Sequence, residues 1–199
     1  MQLLIVRHAL PERITVAEGP ADPGLAELGH RQAGRLPQAL AEYDIARIVT
    51  SPQRRARETA APIVEATGLT PEVDEELAEY DSQMDHYIPI HEARDRAPEV
   101  FERIRGGLLP EFVDEDAFRA RVVGAIERVV AGSRHEDTVA VVAHGGVTNV
   151  FLQQVLGLPR PLTFPLDYTS ITRVLVSRNG NRRVASVNET GHVRDLLHH

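Results

Sequence analysis

The stretch LLIVRH (residues 3–8) joins four β-prone apolar residues directly to Arg7 and His8. Such a run is typical of a strand that is buried on both faces, so the two polar residues are expected at its carboxyl end. In an open α/β sheet, ligands bind at this edge. A second run, TVAVVA (residues 138–143), leads into His144 in the same way. The two strands are therefore predicted to bring two histidines to one edge of a sheet.

The segment TSPQRRARETA (residues 50–60) follows a third apolar run and has the features of a helix start. Ser51 suits an N-cap and Pro52 suits the first helical position, which predicts a helix with Arg55 in or near its first turn. A helix N-terminus and a guanidinium group both attract phosphate oxygens. The other arginines of the segment fit a solvated helix face.

Strands and helices alternate along the chain, which predicts one α/β domain over residues 1–199. We expect three layers, with a mainly parallel sheet, helices on both faces and an antiparallel element at one edge. Asn179-Gly180 between two apolar runs is a strong hairpin signal for that element. The helices are predicted over about Leu25 to Tyr43, interrupted near Pro37, after Asp114 as far as Gly132, and from Gly146 to Gly157.

The composition limits the classes of function. At 199 residues, with 42% hydrophobic and 26% charged residues, the chain can bury one sizeable core. It has no cysteine, which excludes disulfides, thiolate chemistry and a cysteine-based zinc site. The net charge of −7 argues against a nucleic-acid partner, because binding to the phosphate backbone needs a basic surface. No apolar run can span a bilayer and no basic leader precedes the first strand, so we expect a cytoplasmic protein without a membrane partner.

Five motifs occur in an order and at separations that are hard to obtain by chance. They are Arg7-His8, Asp22-Pro23-Gly24-Leu25 with LGHRQA (residues 28–33), the segment 51–60 around Arg55, Leu77-Ala78-Glu79, and His144-Gly145-Gly146. In these motifs the chain resembles the histidine phosphatase superfamily, also called phosphoglycerate mutase-like or branch 1. The resemblance covers nearly the whole chain.

The resemblance implies a metal-independent phosphatase without a cofactor, acting on a small phosphorylated metabolite. By the same resemblance His8 is the nucleophile, Glu79 is the general acid, and His144 completes the catalytic groups. The phosphate-binding residues that it implies are Arg7, Ser51, Arg55 and Gly145.

The chemistry of a phosphate monoester agrees with these residue types. Its hydrolysis needs charge neutralisation, an aligned nucleophile and a proton donor for a poor leaving group. Cationic Arg7 and Arg55 disfavour the protonated ring of His8 and hold the phosphoryl oxygens. His144 can donate a hydrogen bond to an equatorial oxygen, and a glutamic acid with a raised pKa can protonate the departing oxygen.

Two assignments have open alternatives. Several other acidic residues crowd the stretch around Glu79, and Asp81 is the alternative acid. The stretch ALPERI (residues 9–14) lacks the asparagine that many family members carry after the histidine. Arg13 either replaces it as a phosphate donor or is a solvent-facing loop arginine. His192, in a stretch that resembles a family tail motif, is interpreted as structural.

The segment at about 81–116 is the least patterned part of the chain, and an insertion there can cover the site and select the substrate. A phosphomutase of the same superfamily and a non-catalytic sensor of a phosphorylated ligand remain alternatives to the phosphatase. The short chain and the altered stretch after His8 weigh against the mutase. A metal hydrolase built on Asp85, His86 and His91 is the weakest hypothesis, because these residues do not form a convincing ligand set.

Overall fold

A computed structural model describes residues 1–197 and, within them, all side chains except that of His91. His198 and His199 lie outside the described residues. Among the described residues, no helix is both long and apolar enough to cross a membrane.

Eight strands and seven α-helices occur in the described part of the chain. The strands are β1 (Gln2–Arg7), β2 (Ile14–Thr15), β3 (Ile45–Thr50), β4 (Glu72–Val73), β5 (His86–Tyr87), β6 (Thr138–Ala143), β7 (Ile171–Val176) and β8 (Arg182–Glu189). The helices are α1 (Glu27–Ala33), α2 (Leu36–Ala39), α3 (Arg54–Thr67), α4 (Ile90–Arg96), α5 (Pro98–Arg105), α6 (Glu115–Ala131) and α7 (Gly145–Leu156).

Six strands form one sheet in the order β4-β3-β6-β1-β7-β8. The first four run parallel to one another, and β7 and β8 are antiparallel at the edge. This confirms the predicted mainly parallel sheet with its antiparallel element, and Gly180 turns the hairpin at a φ of 82°. Arg7 lies opposite Ala143 in the register of β1 and β6, so the residues that follow, His8 and His144, leave the sheet side by side.

Apolar residues on both faces of β1 pack against helices, as the predicted three layers require. Leu3 and Ile5 belong to a core that includes buried residues of α6 and α7. Leu4 and Val6 belong to the opposite core, which includes buried residues of α2 and α3. Because successive side chains of a strand point to opposite faces, one continuous apolar run supplies both cores. Strand β1 is therefore packed on both of its faces.

Two predicted helices differ from the observed ones in their boundaries. The helix predicted over about Leu25 to Tyr43, with an interruption near Pro37, consists of two short helices, α1 and α2, which are separated at Gly34 and Arg35 and end at Ala39. Pro37 lies in the first turn of α2, where a missing N–H costs nothing. The helix predicted to begin at Pro52, with Ser51 as its N-cap, begins two residues later, at Arg54, with Gln53 as its N-cap.

The segment 81–116 contains β5, α4 and α5. Its strand β5 pairs with β2 in a separate two-stranded antiparallel sheet, in which Tyr87 lies opposite Ile14. The segment is therefore attached to the loop that follows His8, at the same edge of the main sheet.

Candidate active site

The predicted site residues meet at the carboxyl edge of the parallel strands. His8 follows β1, His144 follows β6, and their ring centroids lie 5.1 Å apart. Arg55 lies in the first turn of α3, which follows β3, and its side chain is fully buried. Glu79 follows a 3-10 turn (Glu75–Leu77) just beyond β4 and is 6% exposed. Adjacent parallel strands thus deliver these groups to one pocket.

The His8 ring is held as a neutral imidazole with one free nitrogen. Its Nδ1 lies 2.7 Å from the carbonyl oxygen of Ala9, to which only a protonated Nδ1 can donate. The Nε2 lone pair is therefore available. Burial, followed by the charges of Arg55 and Arg7, lowers the pKa of His8 well below its usual value. A buried neutral imidazole with a free Nε2 suits nucleophilic attack.

The guanidinium groups of Arg7 and Arg55 carry buried N–H groups that donate to no described residue. Arg55 donates from one terminal nitrogen to both oxygens of Asp81, at 2.8 and 3.1 Å. Its Nε and its other terminal nitrogen are buried without a partner in the described chain, as is Nε of Arg7. The guanidinium of Arg7 also donates to the carbonyl oxygen of Leu166. Buried donors without acceptors are costly, which indicates that an anion belongs between them.

Each of these arginines rests on a tyrosine ring. Cζ of Arg7 lies 4.2 Å from the centre of the Tyr168 ring, and Cζ of Arg55 lies 4.6 Å from that of Tyr87. Cation–π contact of this kind fixes the plane of a guanidinium group. Neither tyrosine was identified from the sequence, because a single aromatic residue in a loop or a two-residue strand carries no local signal.

His144 and Ser51 form a buried pair. Nε2 of His144 lies 2.7 Å from Oγ of Ser51, and its Nδ1 is buried without a partner among residues 1–197. A serine hydroxyl that donates to Nε2 leaves the ring proton on Nδ1, where it can be given to an oxyanion. Burial is the main cause that lowers the pKa of His144, so the ring stays neutral. Ser51 thus contacts His144 and orients its ring, and its contact with phosphate stays a prediction.

The carboxyl group of Glu79 sits against the start of α7. Oε2 accepts from the backbone N–H of Gly146 at 2.7 Å, and Oε1 accepts from that of Tyr80 at 3.1 Å. Burial, followed by the charge of Asp81, raises the pKa of Glu79 to about 7. A Cβ atom on Gly146 would lie 2.3 Å from Oε1, so the second glycine of the His144 motif is required by this close approach.

Gln53 links Glu79 to Arg55 through Asp81, and the sequence analysis did not identify it. Its Oε1 accepts from the backbone N–H of Glu79 at 2.7 Å, and its Nε2 donates to Oδ1 of Asp81 at 3.2 Å. Asp81, the alternative acid, is in turn paired with Arg55. In the sequence, the position of Gln53 two residues before Arg55 was the one available hint. A single amide side chain there is equally typical of a solvated loop.

The remaining predicted residues lie around this centre. Gly145 begins α7, and a Cβ atom there would make ordinary contact, 3.5 Å, with Nε of Arg7. Arg13 is paired with Glu92 of α4 and its side chain is 44% exposed, so it does not join the buried arginines. Within the described residues, no group of three or more His, Cys, Asp or Glu side chains is arranged to hold a metal ion. The His91 side chain of the metal-hydrolase hypothesis lies outside that description.

Comparisons with known proteins identify the family to which the chain belongs. The model of the histidine phosphatase superfamily (branch 1) matches residues 3–190. Phosphoserine phosphatase 1 of Hydrogenobacter thermophilus is 33% identical over 151 residues, which cover 72% of this chain and 71% of that protein. Proteins named as probable phosphoglycerate mutases also match. The solved structure of mycobacterial glucosyl-3-phosphoglycerate phosphatase with VO3 has a TM-score of 0.76 at 26% identity, covering 94% of this chain and 98% of that chain.

A further relative is longer than this chain. A bifunctional protein of Mycobacterium tuberculosis is 30% identical over 200 residues, which cover 96% of this chain and 55% of that protein. The chain thus spans about half the length of the first curated relatives that it matches. Since the family model covers nearly all of the described residues, the chain belongs to the histidine phosphatase superfamily (branch 1).

Proposed function

We propose that this chain hydrolyses phosphate monoesters of small metabolites through a phosphohistidine at Nε2 of His8. The observation that carries the proposal is a set of buried N–H groups on Arg7 and Arg55 that have no acceptor within the described part of the chain and lie beside a histidine whose Nδ1 is already occupied. Three guanidinium nitrogens that can still donate hydrogen bonds, beside a neutral nucleophile, suit the binding of a dianionic phosphoryl group.

The first chemical step transfers the phosphoryl group to the enzyme. Nε2 of His8 bonds to phosphorus while the bond from phosphorus to the ester oxygen breaks. Arg7, Arg55 and Nδ1 of His144 hold the phosphoryl oxygens as charge shifts among them. Glu79, protonated near neutral pH because its pKa is raised to about 7, gives its proton to the leaving oxygen. The products are a phosphorylated His8, a free alcohol and a Glu79 carboxylate.

The second step returns the enzyme to its starting state. The Glu79 carboxylate takes a proton from water, and the water oxygen bonds to phosphorus as the bond from Nε2 of His8 to phosphorus breaks. Inorganic phosphate leaves, and Glu79 is again an acid. A pKa near 7 lets one carboxyl group serve both steps, since both of its forms are populated at neutral pH.

The remainder of the substrate has a candidate place beside Glu79. A cleft there is lined by residues that flank the acid in sequence or contact it, including Ala78, Gln53 and Ser82, and by Arg121 of α6. The segment at about 81–116 supplies Tyr87, which lies against Arg55, and Glu92 of α4, which pairs with Arg13 of the loop after His8. We propose that this segment covers the bound ester and contributes to substrate choice.

The test is turnover of a panel of phosphorylated sugars, glycerates and amino acids, with phosphate release and positional isomers followed in the same reaction. We expect inorganic phosphate to form at the rate of substrate loss. His8→Ala should abolish turnover. As the control, His135→Ala should leave turnover unchanged, because His135 is exposed and its ring contacts the amino group of Met1. Isomer without free phosphate would make the chain a mutase. Tight binding with neither product would make it a sensor.

A further inference from the structure

A short segment, residues 166–170, crosses the site between α7 and β7, and we call it the strap. It is anchored to the end of β1 at two points. The backbone N–H of Thr169 donates to the carbonyl oxygen of Arg7 at 3.0 Å, and the carbonyl oxygen of Leu166 accepts from the Arg7 guanidinium. His192 donates from Nε2 to the carbonyl oxygen of Thr169 at 3.1 Å. The strap is thus held from both sides.

The strap is also tied to β8 and adopts a strained backbone. Asn188 accepts from the backbone N–H of Asp167 at 2.7 Å and donates to its carboxylate at 2.9 Å. Thr169 has a φ of 56°, and Asn188 has a φ of 58°. A β-branched residue rarely adopts this left-handed conformation, and such strain persists only where the surrounding contacts impose it. Strain of this kind concentrates at functional sites.

The strap presents Tyr168 to the reacting groups. The ring lies under Arg7 and its centroid is 5.8 Å from that of His8. The hydroxyl group is buried and has no hydrogen-bond partner among the described residues. A buried tyrosine hydroxyl normally has a partner. Because the ring of Tyr168 contacts Arg7 and lies beside His8, we assign this hydroxyl, which lacks a partner among residues 1–197, to the pocket that contains these two residues.

We propose that Tyr168 is a phosphate-binding residue whose hydroxyl donates a hydrogen bond to a phosphoryl oxygen. In the stretch after His8, Arg13 pairs with Glu92 and Ile14 is apolar, so neither side chain supplies such a donor. A neutral phenol adds a directional donor without further positive charge against His8. The inference rests on the proposed function, because it assumes that a phosphoryl group occupies the pocket.

The test compares Tyr168→Phe with Tyr43→Phe, a matched loss of one hydroxyl at a partly buried position in the core beside α2 and α3. We expect Tyr168→Phe to raise the inhibition constants of inorganic phosphate and vanadate by about tenfold, the usual effect of losing a hydrogen bond to a charged group. The melting temperature should stay near that of the wild type, because the ring that supports Arg7 remains. Tyr43→Phe should leave both inhibition constants unchanged.

Unchanged inhibition constants in a folded Tyr168→Phe would overturn the proposal. A second readout is independent of turnover, since the chain has four tyrosines and no tryptophan. Phosphate binding should perturb the tyrosine ultraviolet spectrum, and the difference signal should shrink in Tyr168→Phe and persist in Tyr43→Phe. Equal signals in both variants would contradict the proposal. A wild-type protein that neither binds phosphate nor turns over any ester would instead refute the proposed function.

Discussion

Replacing Glu79 by glutamine removes the proposed acid while keeping its shape. The acid matters most for esters whose leaving group is an alkoxide, so their phosphoryl transfer should slow by about two to four orders of magnitude. The phenolate of an aryl phosphate is a good leaving group without protonation, so the rate for such esters should fall much less. First-turnover measurements at pH 6.5 on a sugar phosphate and on 4-nitrophenyl phosphate isolate the step. Equal losses for both substrates would refute the acid role.

The same variant makes a prediction for stability whose size follows from the structure. The pKa of Glu79 is raised from 4.5 to about 7 in the folded protein. A raised folded pKa means that the stabilising contribution of the protonated form is complete below pH 4.5 and is lost as the pH rises through 7. Since one pKa unit corresponds to about 1.4 kcal/mol, this group should cost the wild type roughly 2 to 3 kcal/mol between pH 5 and pH 8.

Glutamine does not ionise, so Glu79→Gln should escape that loss. Denaturant unfolding of both proteins at pH 5 and pH 8 measures it. The single amide oxygen of glutamine leaves one of the two backbone donors, at Gly146 or Tyr80, poorly satisfied. That penalty is the same at both pH values, so it cancels when the two differences are compared. Parallel changes of stability with pH in both proteins would mean that the pKa of Glu79 is not raised.

Three further perturbations test the surroundings of the acid and the nucleophile. Asp81→Asn removes a like charge and should lower the pKa of Glu79, so kcat should begin to fall at a lower pH on the alkaline side. An unchanged pH dependence of kcat would leave burial as the sole cause of the raised pKa. Arg55→Ala should raise the vanadate inhibition constant by about tenfold or more, whereas Arg13→Ala should leave it unchanged, and equal effects would place both in the pocket. The pKa of His8 is lowered, so wild-type stability should fall as the pH drops below about 6.5 and fall less in His8→Ala; thermal unfolding at pH 7.5 and 5.5 checks this.

The sequence predicted the sheet and the two histidines because both depend on local patterns. An apolar run that ends in a polar pair locates a strand and its carboxyl end, and His8 and His144 follow such runs. Parallel strands then bring both residues to the same edge. The start of α3 was wrong because Ser51, a good N-cap by type, is engaged by His144 across the fold.

The sequence could not predict residues whose roles depend on contacts with distant parts of the chain. Glu79 was selected among several acids by resemblance alone, and only burial against Gly146 distinguishes it physically. Gln53 and Tyr168 owe their positions to the meeting of separate loops, so no spacing in the chain marks them. The reason for Gly146 was equally hidden, since it lies in the close approach of the Glu79 carboxyl group.

The phosphohistidine itself can be measured. The wild-type protein is mixed with a substrate that it turns over, stopped with alkali within the first turnover, digested and analysed by mass spectrometry and ³¹P NMR. The phosphate should be found on Nε2 of His8, labile to acid and stable to base, at a level near one per chain early in the reaction, and it should be missing from His8→Ala. Phosphate on another residue, or full turnover by His8→Ala, would show that His8 is not the nucleophile.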